Sequence, residues 1–239
     1  MLHNYYLTIQ SPYHAGKSSH GFHQKKSELC NNFQYQNFRS KNGRLGTPLP
    51  VEKKAEKYTY KDLCSWPENE RWELIDGVAY DMTPPPSTRH QGILSELHFI
   101  VRNFLEGKNC KVYFAPFGVL LPKGDEPDDE IDTVVEPDLV AICDKSKIEK
   151  KGCRGAPDWV VEIISPSTRK KDLLRKTILY ESRGVKEYWV IYPDEKMIIV
   201  FELEGKKEYV QKRIYIGQAK AHVAVLPGLE IDLLKIFQE

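Results

Sequence analysis

Two carboxylates stand where packing side chains would be expected. Asp138 and Glu162 sit inside the apolar runs EPDLVAIC (136–143) and DWVVEIIS (158–165). An ionised carboxylate among Val, Leu and Ile is costly to bury unless a cation or a hydrogen-bond donor compensates it. Alternate residues of a strand share a face, so Asp138 lies with Val140 and Ile142, and Glu162 with Val160 and Ile164. If the two strands are neighbours, both acids converge at one sheet edge. A hard divalent cation such as Mg²⁺ or Mn²⁺ is held by one or two carboxylates and completed by water and phosphate. Such a cation polarises a phosphate and lowers the pKa of an attacking water. The chemistry predicted is metal-dependent phosphodiester hydrolysis.

A helix-like segment follows at once. Asp172 and Lys176 are four residues apart and share a helix face. Lys176 can project back toward the Glu162 strand, where an ammonium would hold the nucleophilic water or stabilise charge on the phosphorane oxygens. The stretch SPSTRKKD (165–172) opens that helix. Free N–H groups and the helix dipole there favour phosphate, and Arg169 and Lys170 add positive charge. We therefore assign Arg169, Lys170 and Asp172 to the substrate side of the site. His90, at the start of an earlier helix, is a candidate phosphate ligand or proton shuttle. Trp159, Tyr188 and Trp189 read as core aromatics rather than base-stacking platforms, and Lys145–Lys151 as a solvated loop.

Regular secondary structure is expected from Tyr58 onward. A short helix starts at Thr59 and ends at Pro67. RWELIDGVAYDM (71–82) predicts a hairpin around a two-residue Asp76-Gly77 turn. After Pro84-Pro85-Pro86, Ser87 or Thr88 caps a long helix to about Glu106, with Ile93, Leu94, Leu97, Ile100, Val101, Phe104 and Leu105 on one stripe. Strands are expected at Val112–Leu121, Pro137–Cys143, Trp159–Ser165, Glu187–Tyr192, Met197–Glu202 and Tyr209–Ile216. The acidic stretch Asp125–Asp132 and the Lys-rich stretch Lys145–Arg154 read as loops. A second helix over Arg169–Arg183 is expected to bury Leu173, Leu174, Thr177, Ile178 and Tyr180, and a short one at Leu233–Phe237 closes the chain. This order predicts an α/β domain with a mixed central β-sheet flanked by helices.

Charge is unevenly spread. Residues 1–50 carry six Lys/Arg against one acid, leaving 29 bases against 33 acids in the remainder. A slightly acidic globule does not bind nucleic acid through bulk charge, so a nuclease must use a local basic rim. Residues 1–48 lack any sustained period and read as a disordered or loosely packed basic lead, dispensable to a domain over 49–239. Five cysteines without metal-ligand spacing predict free thiols, with Cys110 and Cys143 as small buried hydrophobes, and a reducing cytoplasmic setting. No apolar run is long enough to span a bilayer, and the start lacks signal-peptide features.

Taken together, Pro137-Asp138, EIISPST with Glu162, the D-x₃-K-x₃-Y set (Asp172, Lys176, Tyr180), GVKEYWVI, the upstream WELIDG and the Arg89-His90 helix start resemble the Uma-two group of restriction endonucleases, within the PD-(D/E)XK nuclease superfamily. The resemblance covers about Glu52 to Phe237. It implies a restriction-endonuclease-like core and Mg²⁺-dependent cleavage of DNA, with Asp138 and Glu162 as metal ligands. It implies that Glu73 is the extra acid such proteins place on an early element, and it raises the expectation of a homodimer. One departure matters: the E-x-K pattern would put lysine at 164, where this chain has Ile164. Lys176 is the candidate for a migrated lysine. The competing functions are a catalytically weak or inactive nucleic-acid- or protein-binding module that keeps the fold, and hydrolysis of RNA or another phosphoester.

Overall fold

Tyr58 donates its backbone N–H to Gly77 O (2.9 Å) and Tyr60 to Ile131 O (2.8 Å), which ties the first described segment to the body of the protein. The computed structural model describes residues 57–67, 69–82, 85–165, 171–205 and 208–238, with backbone alone for 171 and 172. They belong to one unit, Ala55–Glu239. The expectations for residues 1–48, Arg169, Lys170 and the Asp172 side chain lie outside the described residues.

In chain order, helix α1 (Tyr60–Leu63) precedes a hairpin of β1 (Trp72–Ile75) and β2 (Val78–Asp81). Asp76 and Gly77 both take positive φ, 50° and 82°, the two-residue turn that twisted hairpin strands favour. Helix α2 (Thr88–Phe104) starts at Ser87, whose side chain accepts the His90 N–H, and it buries Ile93, Leu94, Leu97 and Val101 as the apolar stripe predicts. Strands β3 (Lys111–Phe114), β4 (Val119–Leu120), β5 (Val134–Val135), β6 (Leu139–Ile142), β7 (Ile148–Glu149), β8 (Gly152–Arg154) and β9 (Trp159–Ile163) follow. Then come helix α3 (Lys171–Arg183), strands β10 (Glu187–Tyr192), β11 (Met197–Glu204), β12 (Glu208–Ile216), β13 (Lys220–His222) and β14 (Glu230–Asp232), and helix α4 (Leu233–Ile236).

The main sheet runs β12-β11-β10-β9-β6-β3, and a second sheet runs β2-β1-β5-β4-β8-β7. β9 and β10 pair in parallel while β6 and β9 are antiparallel, so the main sheet is mixed as expected. Period-two alternation sorts its strands onto two faces. Leu139, Ala141, Trp159, Val161, Trp189 and Ile191 pack with α2 and α4 in one core. Val140, Ile142, Val160, Ile164, Tyr188 and Val190 pack on the opposite face, with α3 residues Leu179 and Tyr180 and with Ile75, Val119 and Val135 of the second sheet. Trp159, Tyr188 and Trp189 are fully buried, so they are core residues.

Several expectations are corrected. The run Val112–Leu121 is two strands, not one: β3 pairs with β6 in the main sheet, whereas β4 pairs with β5 and β8 in the other. Pro116 interrupts the run, since it has no N–H to give a ladder. The stretch Lys145–Arg154 contains the β7–β8 hairpin; strands this short carry no readable period. Leu174 and Ile178 are 63% and 55% exposed rather than buried. Lys176 turns inward, and at 100° per residue positions 174 and 178 then lie about 200° away, on the outer side. Cys110 and Cys143 form a disulfide. Their neighbours Lys111 and Ile142 are register partners in the β3–β6 pair, so the cysteines face each other one step beyond the ladder. Cys64 and Cys153 are free.

Candidate active site

The carboxylates converge because of register. In the antiparallel β6–β9 pair Leu139 faces Val161 and Val140 faces Val160, and one further step sets Asp138 across from Glu162. Facing residues of an antiparallel pair point to the same side. The two strands are interior to the sheet, so the acids meet at strand ends and not along a lateral edge. Pro137 keeps residue 137 out of the ladder and lets Asp138 turn. Asp138 Oδ2 accepts the Ile163 N–H at 2.7 Å, a bond to the very strand that carries Glu162. His90 Nε2 lies 3.2 Å from the same Oδ2. His90 is buried, and its Nδ1 has no hydrogen-bond partner among the described residues. It is therefore part of the site wall rather than a solvated helix-start residue.

Glu73 reaches the same place from the second sheet. Alternation along β1 sends Leu74 to the far side, against Ile131 and Val134, and Ile75 toward the main sheet. Glu73 shares the face of Ile75. Its Oε1 accepts the Glu136 N–H at 2.9 Å and lies 3.0 Å from Lys176 Nζ. Nearby, Arg71 pairs with Glu136 at 2.6 Å on the half-buried rim.

Helix α3 supplies the cation. Lys176 and Tyr180 are one turn apart, so both project from the same side. Lys176 Nζ stands 3.0 Å from Glu162 Oε1, and Tyr180 Oη donates to that same oxygen at 2.7 Å. Lys176 is thus bridged between Glu73 and Glu162, more than ninety per cent buried. Arg175 stacks its guanidinium 4.0 Å from the centre of the Tyr80 ring, and Arg183 pairs with Asp76 at 3.2 Å, so the β1–β2 hairpin and α3 are joined along their length. Tyr180 was visible in the D-x₃-K-x₃-Y pattern, but nothing in the sequence assigned its hydroxyl to Glu162.

Electrostatics follow from this packing. Burial is the largest influence on Glu162 and raises its carboxyl above the usual range; Lys176 opposes that, Asp138 and Glu73 reinforce it, and the Tyr180 bond opposes it. Burial also pushes the Tyr180 hydroxyl well above its ordinary value, so it remains a neutral donor. Two carboxylates, Glu73 and Glu162, contact the Lys176 ammonium, while the third, Asp138, lies against His90.

Among the described residues, no group of three or more His, Cys, Asp or Glu is placed to hold a metal by itself. A Mg²⁺ site does not require one, because one or two carboxylates with water and phosphate suffice. Each key acid spends one oxygen on protein partners: Oδ2 for Asp138, and Oε1 for Glu162. Asp138 Oδ1 and Glu162 Oε2 take no hydrogen bond among the described residues. Two hard oxygen donors in a negatively charged pocket fit Mg²⁺ or Mn²⁺.

Among the described residues no helix is long and apolar enough to cross a membrane. No curated protein matches the chain. Among solved structures, the crystal structure titled as a "putative nuclease belonging to DUF820" from Anabaena variabilis ATCC 29413 matches with a TM-score of 0.59 at 20% identity. The match covers 75% of this chain and 97% of that one, a likeness of fold. A family model, Uma2, described as "Putative restriction endonuclease", matches residues 58–234, which include every described site residue. The chain belongs to the Uma2 family, with the α/β nuclease-like fold that its sheets display.

Proposed function

We propose that this protein is a divalent-metal-dependent endonuclease that hydrolyses DNA phosphodiester bonds. The observation that carries the reading is the meeting of Asp138, Glu162 and Lys176, with the ammonium 3.0 Å from Glu162. Asp138 and Glu162 would hold Mg²⁺ or Mn²⁺. When bound, such an ion supplies Lewis acidity to a phosphate oxygen and lowers the pKa of water.

The chain's own groups do the rest. Lys176 brings a fixed positive charge to the pocket, where charge develops on the phosphorane oxygens, and so takes the task that Ile164 cannot perform. Glu73 holds that ammonium in place from the opposite sheet. His90 lies beside Asp138, within reach of a proton on the reacting water or leaving group. Arg169 and Lys170, which precede α3 in the sequence, are proposed to receive the phosphate backbone, with Asp172 on the substrate side of the site. A homodimer would let two such sites address both strands.

One observation favours the alternative of a binding module that keeps the fold: Ile164 is buried where the superfamily pattern has lysine. Plasmid nicking separates the two. Wild type should nick DNA with Mg²⁺ or Mn²⁺ and not in EDTA, while Asp138→Ala and Glu162→Ala should each lower the rate at least about 100-fold. Equal cleavage by all three proteins would refute the assignment.

A further inference from the structure

We infer that Tyr180 is a positioning residue: its hydroxyl, with the Lys176 ammonium, holds Glu162 by one oxygen and so leaves the other as a ready ligand for the divalent cation. The inference rests on the metal-nuclease reading above and adds a residue with no assigned role.

The geometry is specific. Both donors converge on Oε1, Tyr180 Oη at 2.7 Å and Lys176 Nζ at 3.0 Å. They come from one helix face, so a single rigid element fixes both. Tyr180 itself is fully buried, against Tyr188 at 5.1 Å between ring centres, so its hydroxyl has no freedom to wander. A carboxylate held at one oxygen loses rotamer freedom, and the cation then meets a preset donor rather than a mobile one. Hydrogen-bond partners that orient a metal ligand in this way are worth about 10–100-fold in metal affinity or activity. Glu73 and Asp138 show the same economy, each engaging protein donors through a single oxygen.

Tyr188 provides an internal control. It is equally buried on the neighbouring strand, and its hydroxyl has no hydrogen-bond partner among the described residues. Calorimetric titration of the full chain with Mn²⁺, without DNA, should show Tyr180→Phe binding about tenfold more weakly than wild type and Tyr188→Phe binding as wild type does. In nicking assays, Tyr180→Phe should raise the Mg²⁺ concentration for half-maximal rate by a similar factor, with a smaller loss at saturating metal. Replacement of Tyr180 by 4-aminophenylalanine keeps the ring and a weaker donor, and should bind Mn²⁺ with intermediate affinity. That variant carries the test should the phenylalanine form fail to fold. Wild-type Mn²⁺ affinity in either Tyr180 variant, with only a lowered melting temperature, would reduce Tyr180 to a packing residue and overturn the inference. Wild type that neither binds Mn²⁺ nor nicks DNA would overturn the metal reading and this inference together, whereas intact wild-type binding with an indifferent Tyr180 sinks this inference alone.

Discussion

Lys176 is the residue on which the pocket's charge balance turns. Glu73 and Glu162 are both buried, and each lies 3.0 Å from its ammonium. Removing one partner of a buried ion pair leaves an uncompensated charge, at a cost of roughly 3–5 kcal/mol. Lys176→Met should therefore destabilise the fold by about that much in urea unfolding at neutral pH, and abolish nicking; a loss below about 1 kcal/mol would show that the pair is not formed in solution. Glu187 makes a second residue-scale case away from the pocket. It is fully buried, accepts from Trp189 Nε1 (2.6 Å) and from the Val225 N–H (2.8 Å), and burial pushes its carboxyl up to about 7 despite those bonds. An acid raised in the folded state binds its proton more tightly there, so its contribution to stability is full below about 4.5 and is lost as pH rises through about 7. The difference in unfolding free energy between wild type and Glu187→Gln should change by on the order of 3 kcal/mol across that window, read from denaturant midpoints at several pH values. A flat difference would contradict it.

Elements show where packing tolerates nothing. Gly152 takes φ +137°, and a Cβ there would sit 2.0 Å from the Gly118 carbonyl oxygen. That carbonyl accepts the Cys153 N–H at 2.9 Å and holds β4 beside β8. Gly152→Ala must part those strands or break the bond, and should cost roughly 2–4 kcal/mol by chemical denaturation; wild-type stability would mean that the two strands are not in contact. The bridge Cys110–Cys143 closes 33 residues and pins edge strand β3 to β6, the strand that Asp138 precedes. Loop-closure entropy sets its contribution at up to ~4 kcal/mol, so reduction or Cys110→Ser should lower stability toward that amount. Sequence pattern reached most elements at this scale. The α2 stripe, the Asp76-Gly77 turn and β10 are written in local spacing. β5, β13 and β14 were not legible, because two or three residues have no period, and the pairing of Cys110 with Cys143 followed only from the β3–β6 register.

At the scale of the whole molecule, the basic stretch at residues 1–50 is set against an acidic remainder. Ala55 opens the unit that holds every described site residue. A chain shortened to start at Ala55 is expected to unfold in one cooperative transition and to bind Mn²⁺ as the full chain does, measured by calorimetry and thermal melting. Loss of either property would make the preceding residues part of the domain.

The sequence by itself determined which side chains were eligible: acids at 138 and 162 inside apolar alternation, a lysine one helical turn before a tyrosine, and the faces that strands and helices turn inward. These depend on near neighbours in the chain, through periods of 2 and 3.6. The tertiary structure alone decided that Asp138 faces Glu162 across the β6–β9 register, that Glu73 meets Lys176 over 103 residues of chain, and that His90 is walled in beside Asp138. Register and sheet order are set by cores assembled from distant segments, so no local spacing can encode them.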